Sequence, residues 1–143
     1  MSQLETQCLH AGYEQAEATT KSHAAPLYRT TSYRFDSAEH ANNLFTLKEL
    51  GNIYTRLMNP TTDILEQRVA ALDEGAAALA LASGTSAAFY SIINLASKGD
   101  EIVSANNLYG GTYTQFNDIL PSMGITVKMV DPLNPENFAA AIT

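Results

Sequence analysis

Apolar and polar positions divide the chain into a first stretch without regular period and a second in which apolar runs alternate with helical patterns. From Gly12 to about residue 35 no helical or alternating period is sustained, and Pro26, the Thr30-Thr31-Ser32 run and Tyr28, Tyr33 and Phe35 predict an extended arm that packs on something else. Asp36-Ser37-Ala38-Glu39 predicts a helix start, followed by Ala41, Leu44, Phe45 and Leu47 and stopped by Gly51-Asn52. A second helix is expected from Asn59-Pro60, since proline holds its predecessor extended and suits a first helical turn. Leu65, Val69 and Leu72 share one face of it, read as core, and Gly75 is its expected stop.

From Ala76 the pattern changes to an unbroken small-apolar run. Ala76 to Ala82 predicts a strand, Ser83-Gly84-Thr85-Ser86 a tight turn, and Ala87 to Ala96 a helix. Glu101 to Ala105 reads as a second strand, the stretch from Leu108 to about Ser122 as a helix, and the alternating segment Ile125 to Asp131 as a third strand. Strands separated by helices of this length imply a mainly parallel sheet with flanking helices, hence an α/β class. Residues 1–52 form the arm and short helix, and residues 53–143 the first part of the α/β domain. Asp131 to Phe138 is turn chemistry opening an Ala-rich helix that runs into Thr143, so the chain is expected to stop inside an element.

Composition narrows the function. The chain has 143 residues, a net charge of −7 and only 8 basic residues, which form no stripe, so a nucleic-acid backbone has little to hold it. The longest apolar windows are too short to span a bilayer, and no basic-then-apolar signal pattern opens the chain, making the cytoplasm the default location. The single Cys8 is expected to be a small buried or half-buried thiol, and no Cys/His spacing suggests a metal. His10, His23 and His40 lie far apart along the chain and receive no catalytic role.

Three segments carry candidate chemistry. Ser83-Gly84-Thr85 sits at a helix start, where free N–H donors and a partial positive charge receive an anion, although plain capping is the alternative. Tyr109, followed by Gly110-Gly111 at the end of a strand, can stack on a planar ring and offer a phenol, with ordinary loop packing as the alternative. Tyr54 and Arg56 occupy alternate positions of an extended segment and point the same way, as two phosphate donors would; a surface ion pair for Arg56 is the duller reading.

Together, Ile53-Tyr54-Thr55-Arg56-Leu57-Met58-Asn59-Pro60-Thr61-Thr62, Ala82-Ser83-Gly84-Thr85-Ser86-Ala87 and Leu108-Tyr109-Gly110-Gly111-Thr112 closely resemble the Cys/Met-metabolism family of fold-type I pyridoxal-phosphate (PLP) enzymes. The arm resembles it too, through Thr6 to Gly12 and Pro26 to Phe35. Within the family, Met58 and Gly111 look like the O-acetylhomoserine sulfhydrylase branch, with methionine γ-lyase and cystathionine γ-synthase or γ-lyase as neighbours. The resemblance implies that Ser83, Gly84 and Thr85 hold the phosphate of pyridoxal 5'-phosphate, and that Tyr109 stacks on its ring and serves in acid/base chemistry. It implies that Tyr54 and Arg56 reach the cofactor of a neighbouring subunit in a homo-oligomer, dimer or tetramer. The implied transferase replaces the acetate of O-acetylhomoserine by sulfide or a thiol, giving homocysteine or methionine. The family's cofactor-holding lysine lies downstream, and Lys21, Lys48, Lys98 and Lys128 sit in none of its contexts, so this chain alone is expected to be inactive and to need the remaining C-terminal part. A noncatalytic binding or regulatory fragment is the competing class.

Overall fold

The computed structural model describes residues 3–143. Its Cα packing separates two compact units, one up to Ala80 and one from Leu81 to Thr143. This division lies well downstream of Asn52, because backbone bonds tie the arm to the segment after it: Tyr33 N–H donates to Ile53 C=O at 3.3 Å and Thr55 N–H to Thr31 C=O at 2.9 Å.

The first unit holds α1 (Leu4–His10), α2 (Ala38–Phe45) and α3 (Pro60–Leu72). Ser37 caps α2 as expected, its Oγ accepting from His40 N–H at 3.0 Å. The helix closes before Gly51-Asn52, however, because Leu47 takes a left-handed φ of 56° right after the Thr46 cap. At the start of α3, Asn59 is the cap and Pro60 the first helical residue. Its end differs from expectation too: Glu74, at φ 54°, makes the left-handed turn, and Gly75 N–H returns to Ala70 C=O at 2.8 Å.

The Leu65–Val69 face of α3 is exposed rather than core, at 54% and 40%. The reason is where α1 docks. Gly12 lies against Ile64 and Gln67, and Arg68 Nε donates to Ala11 C=O at 2.9 Å, so the Ile64–Gln67–Arg68 flank carries the contact. Cys8 is exposed, since α1 buries none of its residues.

The second unit builds α4 (Gly84–Leu95), β1 (Glu101–Ala105), α5 (Gly110–Thr114), a π-helical turn (Gln115–Ile119), α6 (Leu120–Ser122), β2 (Thr126–Val130) and α7 (Glu136–Ala141). β1 and β2 pair in parallel, from Glu101 opposite Thr126 to Ala105 opposite Val130. Ala96, Phe116, Leu120 and Ile125 form the core, with Ile92, Ile102 and Met129 packed against them. Gly124, at φ 84°, turns the chain into β2, and its carbonyl accepts from Gly99 N–H at 2.8 Å. The expected strand from Ala76 to Ala82 does not form. Its backbone has no ladder partner among the described residues, and Ala80 N–H goes instead to Glu66 Oε1 at 2.7 Å. The last helix stops at Ala141, with Ile142 extended, and does not run into Thr143.

Candidate functional site

In the second unit the turn before α4 is held open at its polar end. Ser83 is extended (φ −158°, ψ 154°), and its Oγ accepts from Ser86 N–H at 3.1 Å while pairing with Ser86 Oγ at 3.0 Å. Ala87 N–H returns to Ser83 C=O at 3.0 Å. Among the described residues, the N–H groups of Gly84 and Thr85 are then the unpaired donors of the first turn. Nothing lies within 4 Å of where a Gly84 Cβ would stand, so a ligand can approach the backbone there. Capping and open donors therefore coexist: Ser83 satisfies the third N–H, and among the described residues the first two have no partner.

Tyr109 precedes α5 and is 78% exposed. The ring lies over Gly111: a Cβ on that glycine would be 3.0 Å from Tyr109 Cε1 and 3.9 Å from Thr85 Cγ2. The Tyr109 ring edge and the Thr85 methyl thus border one corner around Gly111. Gln115, one turn along, donates from Nε2 to Thr85 C=O at 3.2 Å and ties the first turn of α4 to the helix carrying Tyr109. An open helix N-terminus with two free donors beside an exposed aromatic face has the chemistry to hold a phosphate linked to a flat ring.

In the first unit, the alternate positions of Tyr54 and Arg56 do put their side chains together. The Arg56 guanidinium carbon sits 5.5 Å from the centre of the Tyr54 ring. Arg56 is exposed and has no ion-pair partner among the described residues, so the surface ion-pair reading has no support. It borders an open cleft of ≈ 680 Å³, lined also by Met58, Thr62, Asp63 and Glu66.

The residue that shapes this segment is Asn59, only 5% exposed. Its Oδ1 accepts from Thr61 N–H at 2.9 Å, while its Nδ2 donates to Tyr28 C=O at 2.9 Å and to Thr55 Oγ1 at 3.2 Å. Thr61 Oγ1 accepts from Tyr28 N–H and donates to Pro26 C=O, both at 2.9 Å. Thr55 Oγ1 donates to Thr30 C=O. Met58 folds back so that its sulfur accepts from Ile53 N–H at 3.4 Å. Asn59 carries more than the helix boundary read from Asn-Pro; the signal was an asparagine cap, which has two N–H donors left over after capping.

His10 and His23, distant in sequence, bring their rings to 5.4 Å, and His40 Nδ1 accepts from Asp36 N–H at 3.1 Å. Among the described residues no group of three or more His, Cys, Asp or Glu side chains is placed to hold a metal, and no helix is long and apolar enough to cross a membrane.

A family model described as Cys/Met metabolism PLP-dependent enzyme matches residues 5–143. The chain belongs to this family. An O-acetyl-L-homoserine sulfhydrylase from Leptospira meyeri is 56% identical over 137 residues, which are 96% of this chain and 31% of that protein. A crystal structure of an O-acetylhomoserine (thiol)-lyase from Campylobacter jejuni, containing N'-pyridoxyl-lysine-5'-monophosphate, superposes with a TM-score of 0.90 at 40% identity, covering 100% of this chain and 35% of that one. A cystathionine γ-lyase from Lactobacillus plantarum, complexed with L-serine, gives 0.83 at 32% identity over 99% of this chain and 34% of its own. The chain thus spans about a third of the length of the curated relatives it matches. As a member of this PLP-dependent family it has an α/β architecture, a short parallel sheet with flanking helices.

Proposed function

We propose that this chain supplies the cofactor-phosphate grip of a PLP-dependent O-acetylhomoserine sulfhydrylase, which replaces acetate by sulfide or a thiol. The observation that carries the reading is the open first turn of α4, where the N–H groups of Gly84 and Thr85 stand free beside the exposed Tyr109 ring. Ser83, Gly84 and Thr85 receive the phosphate of PLP, and Tyr109 stacks on its ring and moves a proton near the leaving group. When bound, PLP supplies an electron sink for charge developing on the substrate carbons. The higher identity to the sulfhydrylases than to the cystathionine γ-lyase favours sulfhydrylation over cystathionine cleavage.

Tyr54 and Arg56 we assign to the phosphate of a neighbouring subunit's cofactor in a homo-oligomer, with residues 1–52 packing between subunits. An exposed guanidinium over the Tyr54 ring, with no carboxylate partner among the described residues and beside Thr55, which the buried Asn59 anchors, supports that role. The lysine that holds PLP covalently would come from the part that completes the relatives' length.

The test is acetate release from O-acetylhomoserine with sulfide, assayed on the polypeptide joined to that remaining part and on the 143-residue chain alone. Activity only in the former supports the reading; a complete preparation that neither binds PLP nor turns over leaves the noncatalytic fragment. In the complete protein, Arg56→Ala should lower PLP retention, and unchanged occupancy would remove its assigned role.

A further inference from the structure

The Gln115 side chain links the first turn of α4 to the helix carrying Tyr109, and its position depends on an irregularity in that helix. Gln115 opens the π-helical turn Gln115–Ile119, closed by Leu120 N–H donating to Gln115 C=O. Such turns insert one residue and cluster at functional positions. Here Phe116 and Leu120 both enter the core while Gln115 stays over Thr85. In a regular α-register the residues before and after the insertion would be turned by about 100° relative to one another.

The two ends of the Gln115 carboxamide have unequal partners. Nε2 donates to Thr85 C=O at 3.2 Å, but Oε1 is buried and accepts from nothing among the described residues. Exchanging the two atoms would set oxygen against oxygen, so this orientation is the favourable one. A buried acceptor without a donor weakens the folded state, and an apolar side chain of the same shape would avoid that cost. The feature is therefore better explained by what the donor end holds than by stability.

We propose that Gln115 is a positioning residue that holds the first turn of α4 in register with Tyr109, fixing where a phosphate and its attached ring sit relative to each other. The proposal rests on the PLP reading above. Gln115→Met tests it, because it keeps length and volume while removing donor and orphan acceptor together. Amide hydrogen exchange is measured first without cofactor. Exchange at Ser86 and Ala87 should quicken by roughly three- to tenfold, while the thermal midpoint stays level or rises. In the complete protein, PLP should bind about three- to tenfold more weakly, with a displaced visible absorption band, as the Tyr109 ring loses its fixed relation to the phosphate.

Unchanged exchange at Ser86 and Ala87, or unchanged PLP affinity and spectrum, overturns the proposal. A fall in thermal midpoint that accounts for all other losses does so as well, since it would make Gln115 an ordinary packing residue. If the unsubstituted complete protein binds no PLP, the functional reading falls, while the exchange measurement still decides whether Gln115 holds the turn.

Discussion

The side-chain amide of Asn59 donates to the main-chain carbonyl of Tyr28 across 31 positions of sequence, at 2.9 Å. The same side chain caps α3 and reaches Thr55, so a single buried amide fixes the arm, the Tyr54–Arg56 segment and the helix that follows. Replacing Asn59 with Ala removes the cap and strands the Tyr28 carbonyl, at a cost of about 2–4 kcal/mol to the first unit. Asn59→Asp keeps the acceptor for Thr61 N–H but sets a carboxylate against the Tyr28 carbonyl. It should preserve helicity near Pro60 while releasing the arm. Circular dichroism and limited proteolysis between Pro26 and Tyr33 separate the two effects; an arm equally protected in Asn59→Asp would show that the Tyr28 bond does not hold it.

Gly111 is where the Tyr109 ring takes its place. A Cβ there would stand 3.0 Å from Tyr109 Cε1 while the Thr85 methyl stays at 3.9 Å, so the ring is the group that must move. As the ring is largely exposed, Gly111→Ala should leave thermal stability within about 0.5 kcal/mol and shift the tyrosine's orientation. Under the proposed function, the complete protein should show a changed bound-PLP spectrum and a lower kcat/KM with little loss of stability. An unaltered spectrum would mean that the ring does not sit against the cofactor.

The parts of this architecture legible in the sequence are those set by local chemistry. Ser37, Asn59 and Ser83 each stand where a cap is wanted, and each accepts a first-turn N–H, although α4 begins at Gly84, inside the 83–86 stretch that reads as a tight turn. The parallel pairing of Glu101–Ala105 with Thr126–Val130 follows from the helix-length connection between them. What escaped needed a partner to decide it. Ala76 to Ala82 has strand composition, but a strand also needs a ladder, and no described residue supplies one. Leu65 and Val69 share a face, yet periodicity says only that they face together, and α1 docks on the adjoining flank. The π-helical turn at Gln115 leaves no composition signature at all. Residue type and spacing single out Ser83–Thr85 and Tyr109 in the second unit, and Tyr54 and Arg56 in the first, as candidates. They do not single out Asn59 and Gln115 as organisers, because their roles lie in bonds spanning 31 and 30 positions.

Gly12, two residues past the end of α1, packs directly on α3. It has φ 79°, and an added Cβ would stand 2.8 Å from Ile64 C=O and 2.9 Å from Gln67 Cβ. Backbone on one side and helix stem on the other leave little room to yield, so Gly12→Ala combines left-handed strain with a clash and should cost about 1–3 kcal/mol. The change should also break the Arg68–Ala11 bond beside it, and proteolysis within α1 would then accelerate. A variant with wild-type protection of α1 would contradict this account of the docking.

The Glu101–Lys128 pair makes the second unit sensitive to acid. Lys128 Nζ lies 2.8 Å from Glu101 Oε2, joining neighbouring parallel strands, and Thr143 Oγ1 donates to the same oxygen at 3.0 Å. The hydrogen bond from Lys128, then that from Thr143, then the lysine charge hold the Glu101 carboxyl below its ordinary value. Because the folded value lies below the unfolded one, the unfolded chain takes up the proton first as pH falls. The pair therefore contributes in full above the unfolded value, and its contribution is lost as pH drops through the depressed folded value. The pair is solvent-exposed, so the effect should be small and should shrink with added salt. Glu101→Gln removes the charge and should flatten this part of the stability profile on the acid side of the ordinary carboxylate range. Near neutral pH it should cost only what one exposed pair contributes. Thermal midpoints of both proteins across that range, at low and high salt, provide the check. Parallel profiles, with a constant offset at every pH, would show that the titration of Glu101 is not what couples the two strands to acid.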